Sequence, residues 1–446
     1  MTVSWVFLAL SIWCAAFTWV SYHPPRKPAL VMIVGFFASW LTTEAAPIHL
    51  ILQVGGTLVF AYYGAFEYWP AWVALAICIA SWAGLVTSIR ESLRTDQVFV
   101  EAMRETFGDE WDDNLDPVLE YAGRHVNWAR VLLPLWFRRR RVKRKKNIAY
   151  IAGDKSKKHK LDIYYRRDVK PGAPVLLQIP GGGWMISNKD QQGHPMLYHL
   201  AARGWICVTT NYRLSPKATW PDHIVDVKRA LAWVKEHIAE FNGDPDYVVV
   251  TGGSAGGHIT ALMGLTPNDP AFQPGFEDVD TSVRAMIPIY GVFDWTGSAR
   301  TDYDDGLREI LEKYIVKQTY KDAPALYEAA SPIMRINPDA PPALIIHGDL
   351  DTLAPVEEAR AFVQQLRAVS NHSVVYAELK GAHHAFDVFN SIRTMKTIAS
   401  IDLYLAWLVN AVPIRGEMSP PADAPMNISE AEPAANDPNS TARTAH

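Results

Sequence analysis

The run Val248-Val249-Val250-Thr251-Gly252-Gly253-Ser254-Ala255-Gly256-Gly257-His258 has the residue types and spacing for nucleophilic chemistry. It holds a G-x-S-x-G pattern, with a β-rich apolar run before it and a helical pattern over 259–265 after it. A turn this sharp from strand to helix leaves no room for side chains beside Ser254, hence the glycines. It lifts the serine hydroxyl out at the end of a sheet and toward a helix N-terminus. A serine hydroxyl is a poor nucleophile without a base, and the base needs an acid to orient it. Along the chain the order expected around such a turn is Ser, then Asp or Glu, then His. Downstream, residues 344–351 read as an apolar strand ending in a turn with Asp349 and Asp351. Farther on, Lys380-Gly381-Ala382-His383-His384-Ala385-Phe386 supplies two histidines. The pattern fits acyl transfer through a covalent serine intermediate. A fourth part precedes these: Pro180-Gly181-Gly182-Gly183-Trp184 follows an apolar run over 174–179. Consecutive glycines let backbone N–H groups approach a developing oxyanion. A plain flexible turn is the alternative; the neighbouring serine turn and acid–base pair favour the oxyanion hole.

These residues need a scaffold with many strand ends on one side. Strand-like runs fall at 148–151, 161–165, 175–179, 206–210, 247–251, 283–289, 343–347 and 374–379, with helical patterns between them, for example over 222–241 and 356–369. A last helix is expected over 391–410. Short apolar strands alternating with helices predict an α/β fold, a mostly parallel sheet covered on both faces.

At 446 residues the chain is long enough for two or three units, and 49% hydrophobic against 20% charged residues excludes a disordered or collagen-like chain. The composition is uneven. Residues 1–89 contain only four charged side chains, Arg26, Lys27, Glu44 and Glu67. Four apolar stretches are readable there, roughly 5–22, 29–45, 48–66 and 70–89. A membrane-spanning helix needs about 20 mostly apolar residues. The first, third and fourth fit, while Glu44 and Pro47 close the second early. Trp19, Tyr22, Tyr68, Trp69 and Trp72 near the breaks match an aromatic belt at headgroup level. A cleaved signal peptide would need a basic residue before the first run, and none is present. The expectation is a multi-pass membrane region of about four spans over 1–89. Arg90, Arg94 and Arg104 after it favour a cytoplasmic catalytic part; Arg26 and Lys27 pull the other way.

Residues 90–146 then read as an amphipathic and basic linker or cap, with helical spacing of Val98, Met103, Phe107, Trp111, Leu115 and Leu119 interrupted at Gly108 and Pro117. It ends in the basic run Arg138-Arg139-Arg140-Arg141-Val142-Lys143-Arg144-Lys145-Lys146. Such a run beside a membrane can hold anionic lipid headgroups, at roughly 1 kcal/mol per residue close to the surface; a solvated charge run or a topology determinant is the plain alternative. The catalytic unit is expected over 147–411, followed by a disordered tail over 412–446 that carries sequons at Asn427 and Asn439. A net charge of −4 argues against nucleic acid as a partner. The three cysteines, Cys14, Cys78 and Cys207, support neither a zinc cluster nor a disulfide framework.

Taken together, Leu161-Asp162-Ile163-Tyr164, the loop 181–184, Asn211-Tyr212-Arg213-Leu214-Ser215-Pro216, the run 252–258, His347-Gly348 with Asp351, and His384-Ala385-Phe386 occur in order. The chain resembles the bacterial hormone-sensitive-lipase-like serine esterases of the α/β-hydrolase superfamily, and especially the membrane-anchored lipases and esterases of actinobacteria, over about residues 147–410. The resemblance implies Ser254 as nucleophile, Asp351 as acid at the fifth position of H-G-x-x-D, and His384 as base. It also implies an oxyanion hole of Gly182, Gly183 and the Ala255 N–H. Asp349 and His383 are thereby the less favoured members of their pairs. The family carries a His before the three glycines that orients the loop; this chain has Pro180, whose fixed φ and restriction of Ile179 are expected to set the loop's entry angle instead. The implied activity is hydrolysis of carboxylic esters, with lipid or membrane-soluble esters as substrates; amide or peptide hydrolysis and a catalytically weak binding module are the rivals. His258 and His347 read as packing histidines. His194, His199, His223 and Asp226 have no metal-ligand spacing, and no cofactor or metal is implied.

Overall fold

Aliphatic runs alternating with amphipathic helices assemble into one eight-stranded sheet. The computed structural model describes residues 1–113, 115, 125–299 and 305–411. Pro117, Leu119 and the expected tail over 412–446 with both sequons lie outside the described residues. The strands are β1 (Val142–Ala149), β2 (Lys160–Arg166), β3 (Ala173–Ile179), β4 (Ile206–Thr210), β5 (Gly243–Gly253), β6 (Ala285–Ile289), β7 (Ala343–Gly348) and β8 (Val374–Leu379). Their order is β1-β2-β4-β3-β5-β6-β7-β8. β1 and β2, and β2 and β4, pair antiparallel; every other pair is parallel.

Side chains alternate across a strand, and β5 shows the consequence. Val248 and Val250 enter one core and Val249 the other. After five N-terminal helices come α6 (His194–Ala202), α7 (Asp222–His237), α8 (Ala255–Leu265), α9 (Val356–Val369) and α10 (Ile392–Ala411). The first core is closed by Ile224 and Val227 of α7, Ile259 and Leu262 of α8, and Phe362 of α9. The second is closed by Leu197 of α6 and Tyr404 and Leu408 of α10.

The first strand departs from expectation. It begins at Val142, inside the basic run, so that run is largely an edge strand paired to β2 and not a linker. An edge strand tolerates lysine and arginine because one side faces water, where charge also blocks pairing with another chain. Charge therefore masked the apolar alternation that reveals the other strands. Arg144 Nε donates to the buried Asp162 carboxylate at 2.8 Å, and Lys189 Nζ lies 2.8 Å from its other oxygen. Arg139 donates to His199 Nδ1 at 3.1 Å, and burial pushes its guanidinium down to about 10. Two of the basic side chains are thus bound within the protein.

The N-terminal region also differs in detail. α1 (Thr2–Tyr22), α2 (Ala29–Glu44), α3 (Ala46–Tyr62) and α4 (Trp69–Leu93) correspond to the four apolar stretches, and α5 (Thr95–Phe107) continues α4. Two segments are long and apolar enough to cross a membrane, Thr2–Tyr22 and Trp69–Phe107. α2 and α3 qualify only together and bend by 83° at Ala45, which makes three spans at most in place of about four. With 16 and 17 residues, each is roughly 25 Å long at 1.5 Å per residue, short of a hydrocarbon core of about 30 Å. Inside this bundle Phe7 packs with Ala65, Ala71, Ala74 and Cys78, and polar contacts join them: Thr18 Oγ1 meets Ser81 Oγ at 2.8 Å, and Tyr22 OH donates to Gly84 O at 2.6 Å. Trp13, Leu52, Leu58 and Trp72 face outward. That is the packing expected of helices in an apolar solvent. α5 is no free linker: Phe99, Ala102 and Met103 are buried in the second core.

Beneath the ends of β3 and β5, three rings brace the first core. Trp184 Nε1 donates to His258 Nδ1 at 3.2 Å, and His258 Nε2 donates to Ala330 O at 2.7 Å. The imidazole stacks on Trp295 at 4.7 Å. Both ring nitrogens are used in the neutral form, and burial pushes His258 down to about 3. Burial likewise takes His223 down to about 4. Such a histidine binds a proton in the unfolded chain near pH 6.5 but not in the folded one, so its contribution to stability is complete above pH 6.5 and is lost as pH falls toward 4. Unfolding free energy should therefore decline between pH 7 and pH 5 by about 2 kcal/mol in total for each such histidine. The slope should shrink in His258→Gln, whereas an unchanged slope in that variant would show that His258 is not held neutral.

Candidate active site

β5 passes into α8 at Ser254, whose backbone stands at φ 59° and ψ −125°, a conformation that a residue with a side chain holds only when its surroundings enforce it. Here the enforcing contact is backbone against backbone. A Cβ at Gly252 would stand 2.5 Å from Ile179 O, and one at Gly256 would stand 2.1 Å from the same oxygen. Only glycine permits that approach. Ser254 N donates to Ile289 O of β6 at 3.0 Å, and Ser254 O accepts from His258 N at 2.9 Å, so the turn is tied to a neighbouring strand and to its own helix.

Asp351 follows β7 and is buried. His384 Nδ1 donates to its Oδ2 at 2.6 Å, while the Leu353 and Ala354 N–H groups donate to Oδ1 at 2.9 and 2.8 Å. Burial pushes this carboxyl up, but the adjacent His384 and His347 rings and the N–H donors outweigh it and hold it below the usual carboxylate range. Asp349 accepts from the Gly381 N–H at 2.7 Å, and burial pushes its carboxyl up. Of the two carboxylates, Asp351 is the one brought to a histidine.

Of the two histidines, His384 is that partner. His383 Nε2 donates to Ser21 O of α1 at 3.0 Å, and burial pushes its imidazole down to about 4. The His384 ring packs on Tyr290 at 4.7 Å and meets the edge of Phe36 from α2 at 6.2 Å. His347 donates through Nε2 to Ala354 O at 2.8 Å, shaping the turn that holds Asp351. His258 serves the brace described above. His199 joins Asp402 and Arg139, His223 contacts Ser215, and Asp226 pairs with Arg213. His194 stacks on Phe137.

The glycine loop lies directly over the serine turn: a Cβ on Gly181 would stand 3.0 Å from Ser254 Cβ. Gly182 has φ +111°, and a Cβ there would fall 2.2 Å from Ile186 O. Among the described residues no protein acceptor takes the Gly182 or Gly183 N–H. Ala255 opens α8, and the first N–H groups of a helix lack partners within it. Pro180 keeps its place without the family histidine. Its carbonyl accepts from Tyr212 OH at 2.8 Å, the Gly181 N–H donates to Gln192 Oε1 at 2.7 Å, and Trp184 is held by His258.

Three contributors escape a reading of spacing alone. Tyr212 lies inside the motif 211–216, but its role as the tie to Pro180 does not follow from the motif. Gln192 carries no signal at all. Tyr290 fills the space beside Gly253, where a Cβ would stand 2.5 Å from its ring, and it donates its hydroxyl to the Asp387 carboxylate. Its position one residue past β6, level with the ends of β5 and β7, could have marked it.

A family model described as BD-FAE matches residues 161–366, a stretch that includes Gly182, Ser254 and Asp351. The probable carboxylic ester hydrolase LipM of Mycobacterium tuberculosis is 52% identical over 256 residues, covering 57% of this chain and 59% of LipM. Matching thus spans less than two thirds of that relative. Esterase LipQ of the same organism is 42% identical over 320 residues, covering 70% of this chain and 74% of LipQ. Among solved structures, esterase 2 of Thermogutta terrifontis with butyrate bound is similar in fold, with a TM-score of 0.51 and 24% identity over 63% of this chain and 97% of that one. Identity to LipQ at that coverage, on a sheet of this order with a serine turn at its centre, places the chain plainly: it belongs to the bacterial hormone-sensitive-lipase-like esterase family of the α/β-hydrolase superfamily.

Proposed function

We propose that the chain is a serine carboxylesterase or lipase that hydrolyses carboxylic esters through Ser254, His384 and Asp351. The observation that carries this reading is the buried 2.6 Å bond from His384 Nδ1 to Asp351, with Tyr290 packed on the His384 ring and against Gly253 of the serine turn. That bond fixes the tautomer with Nε2 unprotonated, the form that accepts a proton from a serine hydroxyl. Ser254 Oγ attacks the acyl carbon as His384 takes its proton. Asp351 holds the ring and stabilises the imidazolium. The developing oxyanion is received by the Gly182, Gly183 and Ala255 N–H groups, near the positive end of α8. His384 then protonates the departing alcohol and activates water to release the acyl group. The apolar helices α1 and α4 anchor the enzyme in a membrane, and its substrates are lipid or membrane-soluble esters. Phe36, which faces His384 from α2, supports that substrate class, because it puts an apolar helix against the base.

Three outcomes test this. Ser254→Ala should fold as the parent does yet lose roughly 10⁴–10⁶-fold in turnover on a panel of p-nitrophenyl esters graded by chain length; retained turnover would remove Ser254 from the mechanism. Gly182→Val should cost about 10²–10³-fold, far more than Pro180→His, since Tyr212 and Gln192 already orient the loop; the reverse order would mean that the native loop is misaligned. Full-length protein should stay in the pellet after alkaline carbonate washing of membranes, and its release would contradict anchoring by α1 and α4.

A further inference from the structure

Glu44 is the sole ionisable side chain of α2, at the end of an otherwise neutral helix. A carboxylate in such a place ordinarily turns to water or to a functional partner. Glu44 is fully buried. Its Oε1 accepts from Arg393 Nε at 2.9 Å and its Oε2 from Ser391 Oγ at 2.6 Å, and Arg393 is itself only 1% exposed.

The remaining arms of Arg393 reach the loop that carries His384. Nη1 donates to Lys380 O at 2.8 Å and Nη2 to Gly381 O at 3.1 Å. β8 ends at Leu379, so these are the two carbonyls that open the loop. Ser391 closes it. The Thr394 N–H donates to Ser391 Oγ at 3.0 Å, and the Thr394 hydroxyl is shared between Phe386 O and Phe389 O, at 2.9 and 2.7 Å. One carboxylate from α2 therefore grips both legs of the segment on which His384 sits. The same helix meets His384 through Phe36, two turns before Glu44, and α1 holds His383 through Ser21 O.

A buried ion pair is a poor choice for adhesion alone. Apolar side chains of similar volume hold two surfaces together without the desolvation cost. A planar guanidinium does something that they cannot: it fixes three acceptors in set directions at once. We propose that Glu44, acting through Arg393, is a positioning residue for the base His384, so that the apolar N-terminal helices belong to the catalytic apparatus as well as to the anchor. The inference rests on His384 being the base, as set out above, and adds the origin of its alignment.

The test uses full-length protein in detergent with p-nitrophenyl butyrate, a soluble ester whose delivery needs no membrane. Glu44→Met with Arg393→Met removes the pair and leaves no unpaired charge, so a thermal midpoint close to the parent's is expected. kcat should fall tenfold or more, with KM within about twofold, because base alignment acts on the transition state. Arg393→Lys keeps a cation beside Glu44 but cannot span both carbonyls. It should lower kcat in the same direction by a smaller factor, and it decides the matter alone if the double variant unfolds. Parental kcat in these variants, or a change confined to KM, overturns the inference. A parent without ester turnover, or Ser254→Ala with full turnover, would instead defeat the function reading itself, so the two failures are distinguishable.

Discussion

Backbone meets backbone where β5 turns into α8, and the rest of the site depends on that contact. Ile179 O lies so close to Gly252 and Gly256 that no side chain fits between them. The chain can turn there only by placing Ser254 at positive φ. Ties to Ile289 O and to the first turn of α8 hold that conformation in place. The strain has a geometric use. It sets the serine side chain beyond the sheet, under the loop of Gly181 to Gly183 and beside Tyr290, where neighbouring strand ends converge. Trp184, Ser187, Tyr290 and Ala385 also adopt positive φ, so strained backbone gathers around the serine, as it does where position matters more than local comfort.

The second pole of the site is a loop, and loops need support. The segment from Lys380 to Ser391 takes it from the N-terminal helices through Glu44, Arg393 and Ser21. Within these helices the Thr18 and Ser81 hydroxyls meet and Phe7 packs with Ala71 and Ala74, while Trp13, Leu52 and Trp72 stand outside. The His384 loop therefore lies where the α/β unit abuts the N-terminal helices.

Much of this is legible in the residues. Seven strands show as aliphatic runs because each is buried on both faces, and those at 206–210 and 374–379 coincide with β4 and β8 residue for residue. Only the end of β1 shows, in the run at 148–151, because an edge strand obeys solvent, and Lys143, Arg144, Lys145 and Lys146 give no alternation. The serine turn is legible because its glycines answer a steric demand that leaves a local trace. Gln192 acts through a tertiary contact that leaves none, and the partners of Tyr212 and Tyr290 are likewise set by the fold. Glu44 is the instructive case. Its charge reads as the end of an apolar stretch, and the bend at Ala45 bears that out. The partner that explains the charge stands 349 residues away.

A phosphonylation experiment tests the central claim, that the strained turn presents Ser254 as a nucleophile driven by His384, most directly. Full-length protein in detergent would be treated with a stoichiometric fluorophosphonate and mapped by tandem mass spectrometry. The account predicts one adduct, on Ser254, formed rapidly in the parent and at least a hundredfold more slowly in His384→Ala, in keeping with the roughly 10²–10⁴-fold contribution of a positioned base. An adduct on another residue, or equal rates in the two proteins, would contradict it.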